Sequence, residues 1–122
     1  MAFKLNHLHL KTDDPKKTAQ FYVDNLGATI VAEIADRGVR LDLHGLTINL
    51  TTIIADQERE QKIGMEHIAI DTDDIDNVIQ GLEASGAKVM EQMTSPTGRK
   101  IYFLEGPDGV QFEILQMQSS AP

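Results

Sequence analysis

Hydrophobic and polar residues alternate along several short stretches of this chain, a pattern typical of β-strands that bury one face. Residues 5–10 alternate in this way, and residues 46–54 and 110–117 repeat the pattern. After Asp14 and after Asp74, by contrast, apolar residues recur at the spacing of an amphipathic helix. The pattern therefore predicts an α+β protein that contains short strands and two helices.

The two predicted helices have recognisable ends. An aspartate of residues 13–14 can cap the first helix, and Pro15 follows at a position where its missing N–H costs nothing. Gly27 stands where a helix commonly ends in a left-handed glycine. Asp74 and Gly86 occupy the matching places around the second helix, so both helices have a defined start and stop.

The two halves of the chain resemble each other. Residues 7–14 are similar to residues 67–74, which lie 60 positions later, and a helix-like stretch and a Gly-Ala pair follow each copy. Two copies are too few and too long for a solenoid, so the pattern indicates a duplicated module. We expect one domain over the 122 residues, with module one at about residues 1–55, a linker at about 56–64 and module two at about 65–118.

Each module is predicted to contain a strand, a helix and three further strands. Turn-forming residues separate the last two strands of each module. These are His44-Gly45 in module one and residues 105–109 in module two. The strands predicted after the helices are residues 29–32, 39–43 and 46–54 in module one and 88–90, 101–104 and 110–117 in module two.

Strand parity places several polar side chains on common faces, because successive residues of a strand point to opposite sides. His7 and His9 share one face of the first strand, opposite leucines that would meet the helix. If each helix covers the apolar face of its module, two curved half-sheets would bring their polar faces together. The residues gathered in this way are His7, Asn49, His67 and Glu113, with Arg40, Asp42, Lys100 and Tyr102 nearby.

The gathered residues have the chemistry of a metal site. The chain has no Cys, so histidines and carboxylates are its only strong ligand types. The imidazoles of His7 and His67 and the carboxylate of Glu113 can hold a divalent metal and leave positions open for substrate or water. Fe, Mn, Ni, Co and Zn all suit this ligand set. Asn49 would be a weak further ligand through its amide oxygen, or a polar group that lines the cavity.

These features together resemble the vicinal oxygen chelate superfamily, which includes glyoxalase I, methylmalonyl-CoA epimerase, fosfomycin-resistance transferases, extradiol dioxygenases and bleomycin-binding proteins. The resemblance covers nearly the whole chain. It rests on the strand that His7 opens, Phe21-Tyr22, Leu26-Gly27, residues 67–70, and residues 103–113 with their Gly-Pro-Asp-Gly turn. It implies two βαβββ modules that form a curved, mostly antiparallel sheet around a metal-containing cleft, and often a homodimer.

One position departs from the family pattern. Glyoxalase I-like members carry a carboxylate on the fourth strand of each module, whereas module one has Asn49 there. Epimerase-like members have a longer amide at this place. The departure argues against ordinary glyoxalase I chemistry and leaves His7, His67 and Glu113 as the three firm ligands.

The resemblance implies several functions. The first is a glyoxalase- or epimerase-like lyase or isomerase whose small substrate chelates the metal through adjacent oxygens, with Glu113 or His9 moving the proton. The second is an Fe(II) extradiol-type dioxygenase with the same ligands, in which His9 is the candidate acid or base. The third is a bleomycin-resistance-like binder that holds a small molecule without metal or catalysis. The candidate substrate contacts are Tyr102, Lys100, Arg40 and Asp42.

Composition narrows the expected partners. The formal net charge is −8 and aromatic residues make up 5% of the chain, so we expect no basic face or stacking platform for nucleic acid. An anionic membrane surface is disfavoured by the same charge. The sequence opens without a basic segment and a long apolar run, so it indicates no signal peptide. We therefore expect a cytoplasmic protein with a small-molecule substrate and, from the resemblance, a homodimer.

Overall fold

The structure is a computed structural model that describes residues 2–35, 37–55 and 57–117. The described residues form eight strands and two α-helices. Module one contains β1 (Phe3–Lys11), α1 (Pro15–Leu26), β2 (Thr29–Ile34), β3 (Gly38–Leu43) and β4 (Leu46–Thr51). Module two contains β5 (Gly64–Thr72), α2 (Ile75–Ala84), β6 (Lys88–Thr94), β7 (Lys100–Glu105) and β8 (Gln111–Gln116). The predicted order of a strand, a helix and three strands is thus confirmed in both modules.

The chain divides into two compact units, and the division falls within β1 and β5. We call the described residues within 7–67 the first unit. The second unit consists of the described residues within 1–6 and 68–122. The first residues of β1 therefore group with module two rather than with module one. The expectation of one domain over residues 1–122 stays a prediction.

In the first unit the strands lie in the order β2-β3-β4-β1. β2 pairs antiparallel with β3, and β3 with β4, whereas β4 and β1 are parallel. The core lies between this sheet and α1, where Ala19 packs with Leu41, Ile48 and Leu50, all of them buried. The leucines and isoleucines of the alternating pattern thus form the face that the helix covers.

The second unit repeats this arrangement. Its strands lie in the order β5-β8-β7-β6, with β5 and β8 parallel and the other pairs antiparallel. Val78 and Ile79 of α2 pack in one core cluster with Leu104 and Ile114 of the sheet. The α+β class, the two βαβββ modules and the mostly antiparallel pairing are therefore confirmed, while the metal-containing cleft stays a prediction.

Both modules carry the same irregularity in the strand pair that follows the helix. The β2–β3 register shifts within residues 30–32, next to the partner of Arg40. The β6–β7 register shifts within residues 89–91, next to the partner of Phe103. A bulge is an inserted residue that bends a strand, and it occurs at a defined place rather than at random. Its recurrence at the same place supports the duplication that the sequence indicated.

The ends of α1 follow the predicted signals, whereas α2 begins at Asp74 as predicted but without a capping bond from its side chain. Asp14 caps α1, because its Oδ1 accepts a backbone N–H of the first turn at 3.1 Å. Gly27 ends α1 in the left-handed conformation, with φ of 73°. Asp74 holds the N-cap position of α2 without a side-chain capping bond, and the amide of Ile75 donates instead to Gln116 Oε1 at 2.9 Å. Neither helix of the described ranges has the length and hydropathy of a membrane-crossing segment.

Some of the described residues between β4 and β5 are more buried than the polar composition of this segment indicates. Arg59 lies within it and is only 6% exposed. The side chain of Gln61 bonds twice to the backbone of Ile54, donating at 2.6 Å and accepting at 2.8 Å. The expected linker therefore contributes a buried charged residue to the first unit.

Candidate metal centre

Three histidines form a cluster in the first unit: His7 and His9 on β1 and His67 on β5. One potential ligand atom from each ring lies within 4.8 Å of those of the other two. The rings of His9 and His67 stack with centroids 4.6 Å apart, and His7 lies 5.6 Å from His9 and 6.0 Å from His67. The structure therefore brings together the two predicted metal ligands and the third histidine of the same strand face.

The alternation of β1 explains how this cluster forms. Leu8 and Leu10 pack against the core beneath α1, which leaves His7 and His9 on the other face of the strand. His7 is 7% exposed and His67 is 3% exposed, while His9 is partly buried. The shared face of His7 and His9 was predicted from the sequence, and the structure confirms it.

His9 is held in the neutral form. Its Nε2 forms a hydrogen bond of 2.7 Å with the hydroxyl of Thr51, the residue of β4 that pairs with Lys11. Burial, and after it the charge of His67, lowers the pKa of His9 to about 2. A ring that stays neutral keeps a lone pair, which is the state that ligates a metal.

A buried carboxylate lies behind His67. Glu66 Oε1 contacts the ring nitrogen Nδ1 of His67, and Glu66 Oε2 accepts from Arg59 Nη1 at 2.7 Å. Burial raises the pKa of Glu66, but the hydrogen bonds from His67 and Arg59 outweigh it and hold that pKa at about 2. Glu66 is therefore an ionised acceptor inside the protein.

Neither Glu66 nor Arg59 was among the site residues predicted from the sequence. Glu66 directly precedes a candidate ligand, and a carboxylate beside a strand histidine was a signal that could have been noticed. Arg59 gives no comparable signal, because it lies in a segment rich in Gln, Glu and Lys that is typical of an exposed linker.

Polar residues form a row across three neighbouring strands of the first unit. Arg40 of β3 pairs with Asn49 of β4, and Asn49 pairs with His9 of β1. Asn49 is 8% exposed, and its Oδ1 accepts from Arg40 Nε at 3.1 Å. The oxygen through which Asn49 would ligate a metal is therefore engaged by a guanidinium, and the ligand role of Asn49 stays a prediction.

The second unit has a row at the same register positions. Phe103 of β7 pairs with Glu113 of β8, and Glu113 pairs with Ala69 of β5. Glu113 is 8% exposed, and Phe103 and Ala69 are 3% and 0% exposed. Glu113 thus lies in the middle of a strand between two apolar neighbours, and its roles as ligand and catalytic residue stay predictions.

Three of the expected substrate contacts have other partners. Lys100 forms an ion pair with Asp76 of α2, with Nζ and Oδ1 3.1 Å apart. Tyr102 packs against the core beneath α2. Asp42 accepts the N–H of Gly45 at 3.0 Å and so closes the β3–β4 turn.

The expected side of β7 was therefore wrong. Lys100 and Tyr102 point to the helix-covered face, whereas Phe103 pairs with Glu113 and points to the opposite face. The reason is that residues 101–104 are all apolar or aromatic, so alternation cannot distinguish their two faces. Arg40 keeps its expected place beside Asn49.

The donor set of the described residues fits a divalent first-row metal. Neutral imidazoles suit Zn, Ni, Co, Mn and Fe, and a carboxylate that holds the second nitrogen of a ligating ring is the usual supporting arrangement. Two nitrogens that bind one ion at about 2.1 Å lie about 3.4 Å apart in tetrahedral geometry. The separation of at most 4.8 Å would thus have to shrink by on the order of 1 Å when an ion binds.

Two curated relatives match almost the whole chain. The uncharacterized protein YwkD of Bacillus subtilis is 26% identical over 122 residues, which cover 92% of this chain and 95% of YwkD. A probable lactoylglutathione lyase of Synechocystis sp. is 27% identical over 129 residues, which cover 94% of this chain and 96% of the lyase.

The fold is also similar to that of solved structures. Methylmalonyl-CoA epimerase from Mycobacterium tuberculosis superposes with a TM-score of 0.67 at 21% identity, over 97% of this chain and 88% of the epimerase. The family model of the Glyoxalase/Bleomycin resistance protein/Dioxygenase superfamily matches residues 4–114. Because this match spans most of the sequence, and because the two βαβββ modules agree with it, the chain belongs to the Glyoxalase/Bleomycin resistance protein/Dioxygenase superfamily.

Proposed function

We propose that this protein is a divalent-metal-dependent enzyme of the glyoxalase or epimerase type, a lyase or isomerase whose small substrate chelates the metal through adjacent oxygens. One observation carries the proposal. Three histidine rings lie close enough to share an ion, and a buried carboxylate supports one of them. Proteins use this arrangement of imidazoles and supporting carboxylate to hold Fe, Mn, Ni, Co or Zn.

His7 and His67 would hold the metal, and either Glu113 or His9 would be the third ligand. Glu113 remains a candidate for the third ligand because the sequence pattern predicts it. His9 enters the set because its ring stacks on that of His67 and remains neutral. When bound, the metal would supply Lewis-acid chemistry, which polarises a substrate carbonyl and stabilises the negative charge that develops on its oxygen.

The reaction also needs a group that takes a proton from the substrate carbon. A general base works best when its pKa lies near the working pH. Since the pKa of His9 is about 2, its ring is a weak proton acceptor and better suited to holding a metal or a hydrogen bond. We therefore assign the proton transfer to Glu113, with His9 completing the ligand set.

The names of similar proteins narrow the substrate class. Lactoylglutathione and methylmalonyl-CoA, which occur in the names of a relative and of a structural neighbour, are both acyl thioesters. Each has an oxygen-bearing group on the carbon next to the thioester carbonyl, so two neighbouring oxygens can bind one metal. The hydrogen on that carbon is acidic, because the carbonyl stabilises the resulting enolate. Acyl thioesters of this kind are the proposed substrate class.

Arg40 is the candidate contact for the charged part of such a substrate. It is exposed, and its Nε donates to Oδ1 of Asn49. A guanidinium offers paired N–H donors that match a carboxylate or phosphate. The homodimer and the cytoplasmic location expected from the sequence remain predictions.

Hydrogen exchange at the substrate carbon tests the proposal. Protein stripped with a chelator and protein reloaded separately with Zn, Ni, Co, Mn or Fe(II) are incubated in D₂O with S-lactoylglutathione or with methylmalonyl-CoA. Proton NMR then follows the signal of the hydrogen next to the thioester carbonyl. We expect at least one metal-loaded form to exchange this hydrogen in at least one substrate, and the stripped protein to leave it in place.

Two results would contradict the proposal: equal exchange by the stripped protein, or no exchange of either thioester with any metal. Fe(II)-dependent consumption of oxygen with a catechol, in the absence of exchange, would instead identify an extradiol-type dioxygenase. Elemental analysis of untagged protein purified without chelators gives the metal that the site retains.

A further inference from the structure

Arg59 and Glu66 form an ion pair that is removed from water. Their side chains are 1% and 0% exposed, and Arg59 Nη1 lies 2.7 Å from Glu66 Oε2. Arg59 Nη2 also donates to Gln57 Oε1 at 3.0 Å, which fixes the guanidinium. A buried ion pair seldom stabilises a fold more than an apolar pair of the same size would. The position of this pair next to His67 gives it a second role.

The second role follows from the other oxygen of the same carboxylate. Glu66 Oε1 contacts Nδ1 of His67, while Oε2 is held by Arg59. A carboxylate offers only acceptors, so a hydrogen bond at this contact requires a proton on Nδ1. Whenever this ring is neutral, its lone pair then lies on Nε2.

We propose that Arg59 and Glu66 together are positioning residues that fix His67 in the tautomer with its proton on Nδ1 and its lone pair on Nε2. Arg59 orients the carboxylate, and the carboxylate orients the ring. The tautomer follows from the contacts alone, whereas its use in presenting Nε2 to a metal rests on the proposed function.

The arrangement has a property that mutagenesis can test, since Glu66 receives two donors, one on each oxygen. Glu66→Gln replaces one of these oxygens by an NH₂ group. Arginine can only donate, so the remaining oxygen goes to Arg59 and the NH₂ group faces Nδ1 of His67. Nδ1 must then accept, and the proton of the ring moves to Nε2.

A second substitution should reverse this effect. In Arg59→Met/Glu66→Gln no guanidinium competes for the amide oxygen, so the oxygen can turn to His67 and accept from Nδ1 again. The double variant removes both charges of the buried pair together, which makes it the safer variant for folding. Glu58→Gln is the matched control, because Glu58 is exposed and lies in the same segment.

Long-range proton–nitrogen NMR of the metal-free, full-length protein reads the tautomer directly. We expect the proton on Nδ1 in the wild type, in Glu58→Gln and in the double variant, and on Nε2 in Glu66→Gln. A competition titration with Zn²⁺ supplies a second readout. The affinity for Zn²⁺ should fall about 10- to 100-fold in Glu66→Gln, which is the usual effect of losing the partner of a metal-binding histidine. The affinity should recover in the double variant.

Several outcomes would overturn the inference. These are a wild-type ring with its proton on Nε2, a ring protonated on both nitrogens, or Glu66→Gln with an unchanged tautomer. If Glu66→Gln does not fold, the double variant decides, since a proton on Nε2 there contradicts the proposed role. If the wild type binds no Zn²⁺ or other tested metal, the proposed function fails, while the NMR result still decides the role of Arg59 and Glu66.

Discussion

Each of the two compact units has a row of three residues that lie side by side on three paired strands. The two rows occupy equivalent register positions, but their side chains differ in chemistry. In the first unit the row is Arg40, Asn49 and His9. In the second unit it is Phe103, Glu113 and Ala69. The first row combines a cation, an amide and an imidazole, whereas the second places a carboxylate between two apolar residues.

This difference shows which part of a duplicated module is constrained. The helix-covered faces of the strands are mostly apolar in both units, because they form the two cores. The register of both rows is the same, since it depends on backbone pairing and on those apolar faces. The opposite faces do not form these cores, so Asn49 and Glu113 can differ at equivalent positions.

The largest expected effect comes from removing a histidine of the first unit. His67→Ala should weaken metal binding by at least about 100-fold, because it removes a ligand of the proposed centre. Elemental analysis and Zn²⁺ titration measure the loss. His44→Ala is the matched control, since His44 is exposed at the β3–β4 turn. Equal affinity in His67→Ala and wild type would remove the basis for the metal centre.

The two equivalent positions should differ strongly in their effect on turnover. We expect Glu113→Gln to lower kcat by about 10²- to 10⁴-fold, the usual contribution of a general base. Asn49→Ala removes a hydrogen-bonding group and should lower kcat/KM by about 10-fold. Steady-state kinetics with the thioester that undergoes exchange compare the two variants. Similar losses in both would mean that the carboxylate has no special role.

Phe103 and Arg40 occupy equivalent positions in the two rows. Their substitution should differ in its effect on protein stability rather than on turnover. Phe103 is 3% exposed, so Phe103→Ala should lower the free energy of unfolding by about 3–5 kcal/mol. Arg40 is exposed, so Arg40→Ala should change the free energy of unfolding by no more than about 0.5 kcal/mol. The same substitution should raise KM. Urea denaturation and kinetics separate the two effects. A large loss of stability in Arg40→Ala would show that it supports the fold.

The smallest effect is expected at Lys100, on the helix-covered side of the second unit. Lys100 is exposed and pairs with Asp76, which raises its pKa, and it shares no strand face with Glu113. Lys100→Ala should therefore leave kcat and KM within experimental error of the wild type. An increase in KM similar to that of Arg40→Ala would restore Lys100 as a substrate contact.

Most of the fold could be predicted from local features of the sequence. The capping aspartate at position 14, the glycine at position 27 and the alternation of β1 each act over a few residues, and each is found as expected. The internal repeat added the order of elements in the second module. These signals are readable because they arise from neighbouring residues and from a single buried face per strand.

The candidate site could be predicted only in part. The common face of His7 and His9 followed from the alternation of side chains along β1. The role of His67 as a candidate ligand followed from the internal repeat. The side of β7 did not, because its central residues are apolar on both faces and only the pairing of Phe103 with Glu113 decides it.

By itself, the sequence determined the α+β class, the two βαβββ modules and the polar faces that carry His7, Asn49 and Glu113, because hydrophobic periodicity is a local property of the chain. Only the tertiary structure decided that His9 joins the histidine cluster and that Arg59, from a polar segment, holds the carboxylate of Glu66 against His67. Such contacts depend on which side chains are brought out of water together. Burial then makes a paired charge or a neutral imidazole the stable form, and neither is written in the spacing of residues along the chain.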